Sequence, residues 1–232
     1  MSLKLGVPSK GRLMEKTFDW FGARGVRLSR TGSDREYAGA VDGVEGVSLV
    51  LLSAGEIPRE LAAGHIHLGV TGTDLVREKL VQWDQKVKPL AELGFGHADL
   101  ILAVPACWVD VDTLDDLDAA AAAFRAQHGF RMRIATKYHR LIRDHLRQGG
   151  VADYQLVDSQ GATEGTVKNL TAEAIADITS TGETLRANHL KILQDEPVLQ
   201  SQATLFKSRV AQKSDAEMQA LTDLTRKLGL DG

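Results

Sequence analysis

One turn of the sequence combines glycine, hydroxyl groups and an acid directly after an apolar run. It is the segment DITSTGET at 177–184, which follows the predicted strand at 174–178. Backbone N–H groups converge where a strand turns into a helix, and the partial positive charge there favours a phosphate. Thr181 and Thr184 would add hydroxyl donors. Asp177, at the carboxyl end of the strand, would accept hydrogen bonds from ribose hydroxyls.

The same segment also has a purely structural interpretation. Ser180 is followed three residues later by Glu183, which is the pattern of a helix capping box. Such a cap satisfies the free amides of a helix without any ligand. The residues alone leave phosphate binding and a simple helix cap as open alternatives.

A second turn, at 8–13, joins the first predicted strand to the first predicted helix. It places Lys10 and Arg12 on either side of Gly11. A lysine point charge beside a planar guanidinium suits a polyphosphate. The glycine spacing and the ending differ from a Walker loop. The alternative is an ordinary corner with solvated charges.

A third turn, GVTGTDL at 69–75, again runs from a strand through glycine into a helix. Thr71, Gly72 and Asp74 are its candidate binding residues, and a helix cap from Thr71 to Asp74 is the alternative. The recurrence of three such turns favours a site for a multiply phosphorylated ligand.

Two other features could carry chemistry. His65 and His67 alternate along a predicted strand and could share a face, but no cysteine or paired carboxylate lies near them, so we predict no metal site. Cys107 is the single cysteine and has no evident base partner. It cannot form an intrachain disulfide.

Composition excludes several classes of protein. The 232 residues include 28 Lys plus Arg and 31 Asp plus Glu, a formal net charge of −3, so the basic surface of a nucleic-acid-binding protein is not expected. No apolar stretch approaches the roughly 18 residues of a membrane span. The N-terminus lacks the apolar region of a signal peptide. We therefore expect a cytoplasmic protein without membrane or nucleic-acid partners.

The elements that must position these turns are strands alternating with helices, which predicts an α/β fold with a largely parallel sheet. Composition breaks occur at 93–96 and after Asn188. They predict a discontinuous lobe I of residues 1–93 and 188–206, an inserted lobe II of 94–187, and a C-terminal helix within 207–232. A central cleft would then lie between the lobes, and lobe II would carry the loop at 177–184.

Taken together, the motifs resemble the ATP phosphoribosyltransferase family, which catalyses the first step of histidine biosynthesis. The resemblance runs from about residue 3 to residue 206 and implies two lobes like a type II periplasmic binding protein. Only about 26 residues follow Phe206, so it implies the short form without a C-terminal regulatory domain. The segments that carry it, in order, are Pro8–Leu13, Glu56–Pro58, Gly69–Leu75, Leu93–Gly96, Arg133–Tyr138, Gly161 with Glu164, and Asp177–Asn188.

The resemblance also implies a reaction. N1 of ATP attacks C1 of phosphoribosyl pyrophosphate, and pyrophosphate leaves. Catalysis would then be positioning and electrostatic stabilisation without a protein nucleophile. Mg²⁺ would be held largely by substrate oxygens. The implied partners are ATP, phosphoribosyl pyrophosphate, further copies of the chain, and a regulatory subunit similar to histidyl-tRNA synthetase.

The resemblance assigns roles to individual residues. Lys10, Gly11 and Arg12 would lie near ATP or the pyrophosphate, facing Thr71, Gly72 and Asp74, and Glu164 would touch the ribose. Arg35 would neutralise the leaving group, with Arg30 as its rival. Many relatives carry an arginine just before the equivalent of Glu56, where this chain has none. The loop around the ribose 5-phosphate would comprise Asp177, Thr179, Ser180, Thr181, Gly182, Glu183 and Thr184.

Two other functions stay open at this point. A non-catalytic cytosolic binding protein of the same bilobal architecture could close on a small anionic ligand. Salvage of a free base is the other, and the single acid at Asp177 disfavours it, because many salvage enzymes carry two acids in tandem there.

Overall fold

The computed structural model describes residues 2–31, 38–159 and 161–230. The chain forms two compact units, one of residues 1–97 and 202–232 and one of residues 98–201. Each unit is a β-sheet with helices packed against it. The predicted α/β class is confirmed.

The first unit contains a sheet with the strand order β2-β3-β4-β1-β5-β13-β6. Its elements are β1 (Leu3–Pro8), α1 (Gly11–Gly22), β2 (Arg27–Arg30), β3 (Ala38–Asp42), β4 (Val47–Leu52), α2 (Ile57–Ala63), β5 (Leu68–Gly72), α3 (Thr73–Lys79), α4 (Trp83–Lys86), β6 (Val87–Glu92), β13 (Ala203–Ser208) and α9 (Asp215–Leu228).

The second unit contains a sheet with the strand order β11-β7-β10-β8-β9, and β12 also pairs with β7. Its elements are β7 (Ala98–Pro105), α5 (Leu114–His128), β8 (Met132–Thr136), α6 (His139–Gln148), β9 (Tyr154–Asp158), α7 (Gly165–Lys168), β10 (Ala174–Thr179), α8 (Glu183–Ala187), β11 (Leu190–Ile192) and β12 (Leu199–Ser201).

Both sheets are mixed, so the prediction of a largely parallel sheet was wrong. In the first unit only β1 pairs in parallel, with β4 and β5, and in the second β8 pairs in parallel with β9 and β10. The remaining pairs are antiparallel. The hydrophobic pattern of a strand indicates which of its faces is buried, but it does not show whether the neighbouring strand runs parallel or antiparallel.

The boundaries of the units also differ from the expected positions. The chain enters the second unit at Ala98 rather than at 94, and it returns at Gln202 rather than at 188. The return is late because β11 and β12 both pair with β7. After β13, the C-terminal helix α9 begins at Asp215 and belongs to the first unit.

Each unit buries its own apolar core. In the first, Leu5 of β1, Phe21 of α1 and Leu224 of α9 are buried in one cluster. In the second, Leu117 of α5 and Leu146 of α6 pack on the sheet. Each buried side chain of this size contributes roughly 1.5–3 kcal/mol. These cores hold the parallel strands whose carboxyl ends carry the predicted turns.

Helix α9 packs on its own unit through an apolar stripe. Leu221, Leu224 and Leu228 are buried, whereas Met218 of the same stripe is exposed. Ser214 and Glu217 form a capping box, with each side chain bonded to the other residue's amide. Among the described residues, every helix is too short or too polar to cross a membrane.

Candidate active site

In the second unit, three loops meet at one edge of the sheet. Strands β8, β9 and β10 run in parallel, so their carboxyl ends lie together. Lys137 follows β8, the segment with Thr163 and Glu164 follows β9, and the loop from Thr179 to Gly182 follows β10. The topology therefore brings together the predicted residues of this unit.

The loop after β10 is built around Gly182. This glycine is buried and has a φ of 69°. A Cβ there would lie 3.1 Å from Nη1 of Arg186. Its N–H donates to Oγ1 of Thr179 at 3.0 Å, and the N–H of Glu183 donates to Oγ1 of Thr181 at 3.3 Å. Hydroxyls and amides of the loop are thus directed at one another, and Thr181 and Thr184 are exposed.

The helix-cap alternative for this loop was wrong. Helix α8 begins at Glu183, two residues later than a Ser180 cap requires, its N-cap is Gly182, and no side chain caps it. The helix has only five residues, so its dipole is small. An anion here would be held chiefly by the loop's hydroxyls and amides.

Asp177 and Glu164 are two of the carboxylates at this edge. Asp177 is half-buried in β10, and its Oδ1 accepts the N–H of Ile178 at 2.8 Å. Glu164 is half-buried and is the N-cap residue of α7. The loop before it is anchored by a buried hydrogen bond of 2.8 Å from the Ser159 hydroxyl to Oγ1 of Thr163.

Lys137 also lies at this edge, although it is not among the predicted site residues. Its Nζ donates to the carbonyl of Gly161 at 2.8 Å. Ala176 pairs with Thr136, the last pair between β10 and β8, and Asp177 and Lys137 are the residues that follow this pair in the sequence. A cation shortly after the end of a strand, as at Lys10, is a sequence signal that could have identified Lys137.

In the first unit, the turns after β1, β4 and β5 meet in the same way. The N–H of Ser9 donates to the carbonyl of Leu52 at 2.7 Å. Lys10 is the N-cap residue of α1 and has an extended backbone, and Gly11 follows with a φ of 73°. Lys10 and Arg12 are exposed, and neither forms an ion pair with a carboxylate in the described ranges.

The turn at the end of β5 contains two buried polar residues, Thr71 and Asp74. Thr71 is fully buried, and its hydroxyl donates to the carbonyl of Ala54 at 2.8 Å. Asp74 is also buried. Gly72 is the N-cap of α3 without a side-chain cap, so the cap from Thr71 to Asp74 was wrong. The geometry gives Thr71 a supporting position, because its hydroxyl ties the β5 turn to the turn after β4.

Glu56 and Arg30 complete the described charges at this edge. The N–H of Ser53 donates to Oε2 of Glu56 at 2.9 Å, and hydrogen bonds from the Ser53 amide and hydroxyl lower the pKa of Glu56. Arg30 ends β2, and its Nη2 lies 3.3 Å from Sδ of Met14 on α1. Arg35 lies outside the described residues.

The two histidines just before β5 do not form a shared site. His65 Nδ1 lies 3.0 Å from Oε2 of Glu60, whereas His67 is buried. Over the described ranges, no three His, Cys, Asp or Glu side chains are grouped to hold a metal ion. Cys107, in the turn after β7, is exposed rather than buried.

Comparison with solved structures agrees with this fold. The chain matches a structure described as the ATP phosphoribosyl transferase (HisG:HisZ) complex from Thermotoga maritima, with a TM-score of 0.72, 22% identity, and coverage of 99% of this chain and 100% of the other. It also matches a periplasmic binding protein from Brucella ovis, with a TM-score of 0.52, 10% identity, and coverage of 97% and 66%. The expected likeness to periplasmic binding proteins is confirmed at the level of the fold.

Sequence comparison is more specific. The family model described as HisG, ATP phosphoribosyltransferase, matches residues 53–229. The ATP phosphoribosyltransferase of Cereibacter sphaeroides is 78% identical over 216 residues, covering 93% of this chain and 92% of that protein. The enzyme of Mesorhizobium japonicum is 47% identical over 227 residues, covering 97% of each chain. This chain belongs to the ATP phosphoribosyltransferase family.

Proposed function

We propose that this chain joins N1 of ATP to C1 of phosphoribosyl pyrophosphate, the first step of histidine biosynthesis, and holds the sugar's 5-phosphate in the loop from Asp177 to Thr184. The observation that supports this assignment most strongly is the loop itself. Gly182 is buried, has a positive φ and is the N-cap of α8, which has no side-chain cap. The turn at this glycine brings backbone amides and threonine hydroxyls together at the carboxyl end of β10.

The hydroxyls of this loop are suited to bind an anion as they stand. A threonine hydroxyl that accepts a backbone N–H still has its own hydrogen to donate. Thr179 can therefore keep its bond to Gly182 and donate to a phosphoryl oxygen. The bond between Thr181 and Glu183 is long, at 3.3 Å, so a phosphoryl oxygen can replace the hydroxyl as acceptor.

The remaining groups have electrostatic roles in the proposed reaction. Positive charge develops on the sugar as its bond to pyrophosphate breaks, and Asp177 and Glu164 supply negative charge at the edge that holds the loop. Pyrophosphate gains negative charge, which Lys10 and Arg12 neutralise, with Arg30 or Arg35 as a further cation. Preorganised charges of this kind lower a barrier without a covalent intermediate.

We also propose that Mg²⁺ accompanies the pyrophosphate. Mg²⁺ commonly binds through one or two carboxylates together with substrate phosphates. Asp177 fits this role because one of its oxygens accepts the Ile178 N–H and the other is left for the ion. When bound, the ion would neutralise charge on the leaving group.

The activity is tested by mixing the purified chain with ATP, phosphoribosyl pyrophosphate, Mg²⁺ and pyrophosphatase and following the ultraviolet absorbance of an N1-substituted adenine. Gly182→Val and Thr181→Ala should cripple use of phosphoribosyl pyrophosphate while the fold persists. Thr222→Ala, an exposed threonine on α9, is the matched control. Near-normal turnover in both loop variants would overturn the loop assignment.

The same assay separates the two alternatives. A non-catalytic binding protein would bind a small anion without forming product. A salvage enzyme would accept a purine or pyrimidine base in place of ATP. Product from ATP, with no product from free bases, supports the proposed reaction.

We further propose that the enzyme forms a homo-oligomer and assembles with a regulatory subunit similar to histidyl-tRNA synthetase, in the cytoplasm. The support is that the matching Thermotoga maritima structure is described as a HisG:HisZ complex. Co-purification of this chain with its own organism's candidate subunit, followed by measurement of the complex mass, tests the assembly. A fluorescent fusion tests the location.

A further inference from the structure

The outer edge of the second unit's sheet carries a basic groove that the proposed reaction does not use. The groove has a volume of about 460 Å³ and lies between helix α6 and strand β9. Its lining includes Arg143 and Arg147 of α6, Arg131 just before β8, and β9 from Tyr154 to Leu156.

The charge of this groove is unbalanced. All three arginines are exposed, and Arg143 and Arg147 lie one turn apart on one face of α6. Arg147 Nη2 lies 3.3 Å from Oδ1 of Asp144. Arg131 and Arg143 form no ion pair with any carboxylate in the ranges that the structure describes. The groove therefore carries excess positive charge on a chain whose net charge is −3.

Strand β9 also offers unused hydrogen-bonding groups. It is the last strand in its sheet and pairs only with β8 in the described chain. The Asp153 carbonyl accepts the Met132 N–H at 3.1 Å, and the Ser159 N–H donates to the Thr136 carbonyl at 3.2 Å.

Backbone groups alternate in direction along a strand. Residues 153, 155, 157 and 159 therefore face β8, and the amides and carbonyls of Tyr154, Leu156 and Asp158 point away from the sheet. Such an edge is a template for another strand.

We propose that β9 and the three arginines bind an extended acidic segment of a partner protein, which joins the sheet as an additional strand. Main-chain hydrogen bonds to an exposed edge supply affinity in this mode of recognition, and alternate side chains supply specificity. Acidic side chains on the segment would meet the guanidinium groups, whose planar donors match carboxylates. A nucleotide or RNA could use the arginines but has no strand to pair with the outward amides, so the peptide is favoured.

The test uses the purified full chain and a labelled peptide of about eight residues, matching the length of a typical strand, in which glutamate and valine alternate. Fluorescence anisotropy should show saturable binding. Arg131→Glu with Arg143→Glu should weaken it at least about tenfold, whereas Arg209→Glu, an exposed arginine in the first unit, should leave it unchanged. A lysine–valine peptide should not bind.

Backbone pairing is tested separately from charge. N-methylation of alternate peptide amides should abolish binding, and hydrogen exchange should slow at Tyr154 and Leu156 but not at Gln155 and Val157. The proposal is overturned if the glutamate peptide fails to bind, or if N-methylation leaves its affinity unchanged. Displacement by inorganic triphosphate or single-stranded RNA, with no protection at Tyr154 and Leu156, would instead show a simple anion groove.

Discussion

At the scale of single residues, two lysines lie just beyond the ends of strands in the candidate site. Lys10 follows β1 and Lys137 follows β8, each at the edge where parallel strands end. Their surroundings differ, because Lys10 is exposed without a described ion pair while Lys137 is bonded to the Gly161 carbonyl. The first is available to a substrate, and the second fixes the loop that carries Glu164.

Lys10→Ala and Arg12→Ala should weaken the interaction with ATP or pyrophosphate, because each removes an exposed charge from the α1 turn. We expect the KM for ATP to rise or kcat to fall by about tenfold or more, as loss of a charged hydrogen bond predicts. Lys16→Ala, an exposed lysine further along α1, is the control. Unchanged kinetics in both variants would remove this turn from the site.

Lys137→Met should raise the KM for phosphoribosyl pyrophosphate more than the KM for ATP, because the bond to Gly161 holds the loop before Glu164. Lys137→Arg should recover part of the loss, since it can still donate to the carbonyl. Lys168→Met, an exposed lysine of α7, should behave like the parent chain. An equal change in both KM values would argue against a role at the sugar.

At the scale of elements, helix α9 is joined to the first unit's sheet through a buried histidine. Nδ1 of His67 accepts the Lys4 N–H at 3.0 Å, which leaves Nε2 to face the Gln212 carbonyl at 3.3 Å. Glu217 Oε1 lies 3.9 Å from Nε2. Burial is the main cause that lowers the pKa of His67 below its ordinary value of 6.5, against the opposing effects of Gln212 and Glu217.

This histidine predicts a pH dependence of stability. Because its pKa is lowered on folding, the unfolded chain binds the proton more readily, and the free energy of unfolding should fall as pH drops below about 6.5. Chemical denaturation at pH 7.5 and 5.5 measures this loss. His67→Gln should reduce this loss of stability. Burial also lowers the pKa of His145, so His145→Gln should remove only the separate contribution of that residue. An unaltered pH dependence in His67→Gln would contradict the prediction.

The cap of α9 predicts a second effect on stability. Ser214→Ala removes the hydroxyl that accepts the Glu217 N–H and should cost about 1 kcal/mol of unfolding free energy. Thr222→Ala, on the exposed face of the same helix, should change it by less than about 0.5 kcal/mol. Equal effects of the two substitutions would mean that the cap contributes nothing measurable.

Elements with a strong local pattern were predictable, and elements made by pairing were not. The strand before Lys10 and the capping box at Ser214 are local features. Strand β3 contains Gly39 and Asp42, which disfavour strands, and is a strand because it pairs with β2 and β4. For the same reason the short β12 was missed, and with it the return to the first unit.

In the candidate site, too, features that are local in sequence were predictable, and features that depend on distant residues were not. The loop at Gly182 was predictable because its glycine, hydroxyls and preceding strand are adjacent in sequence. The burial of Thr71 was not, because it depends on the distant Ala54 carbonyl. Lys137 was not predicted, because its place at this edge depends on the parallel pairing of β8 with β10.

At the scale of the whole molecule, two cores support one chain that crosses twice between units. Leu5 and Leu146 are fully buried, one in each core. Chains with more than one core commonly depart from a single two-state transition. A substitution that creates a cavity in one core should therefore lower the stability of the unit that contains it more than that of the other unit.

Leu146→Ala should destabilise the second unit by about 2–5 kcal/mol because it removes buried methyl groups and leaves a cavity. Amide exchange should accelerate mainly in residues 98–201. Leu5→Ala should instead accelerate exchange in residues 2–31, 38–97 and 202–230. Uniform acceleration across the chain in both variants would show that the two cores unfold as one cooperative body.

The turn after β7 gives the whole molecule a practical property. Cys107 is the single thiol in the sequence and is exposed in the second unit. A maleimide reagent would therefore attach one fluorophore per chain, at a defined position outside every predicted catalytic residue. The fluorescence anisotropy of that dye, measured as the protein concentration rises, would then report the oligomeric state.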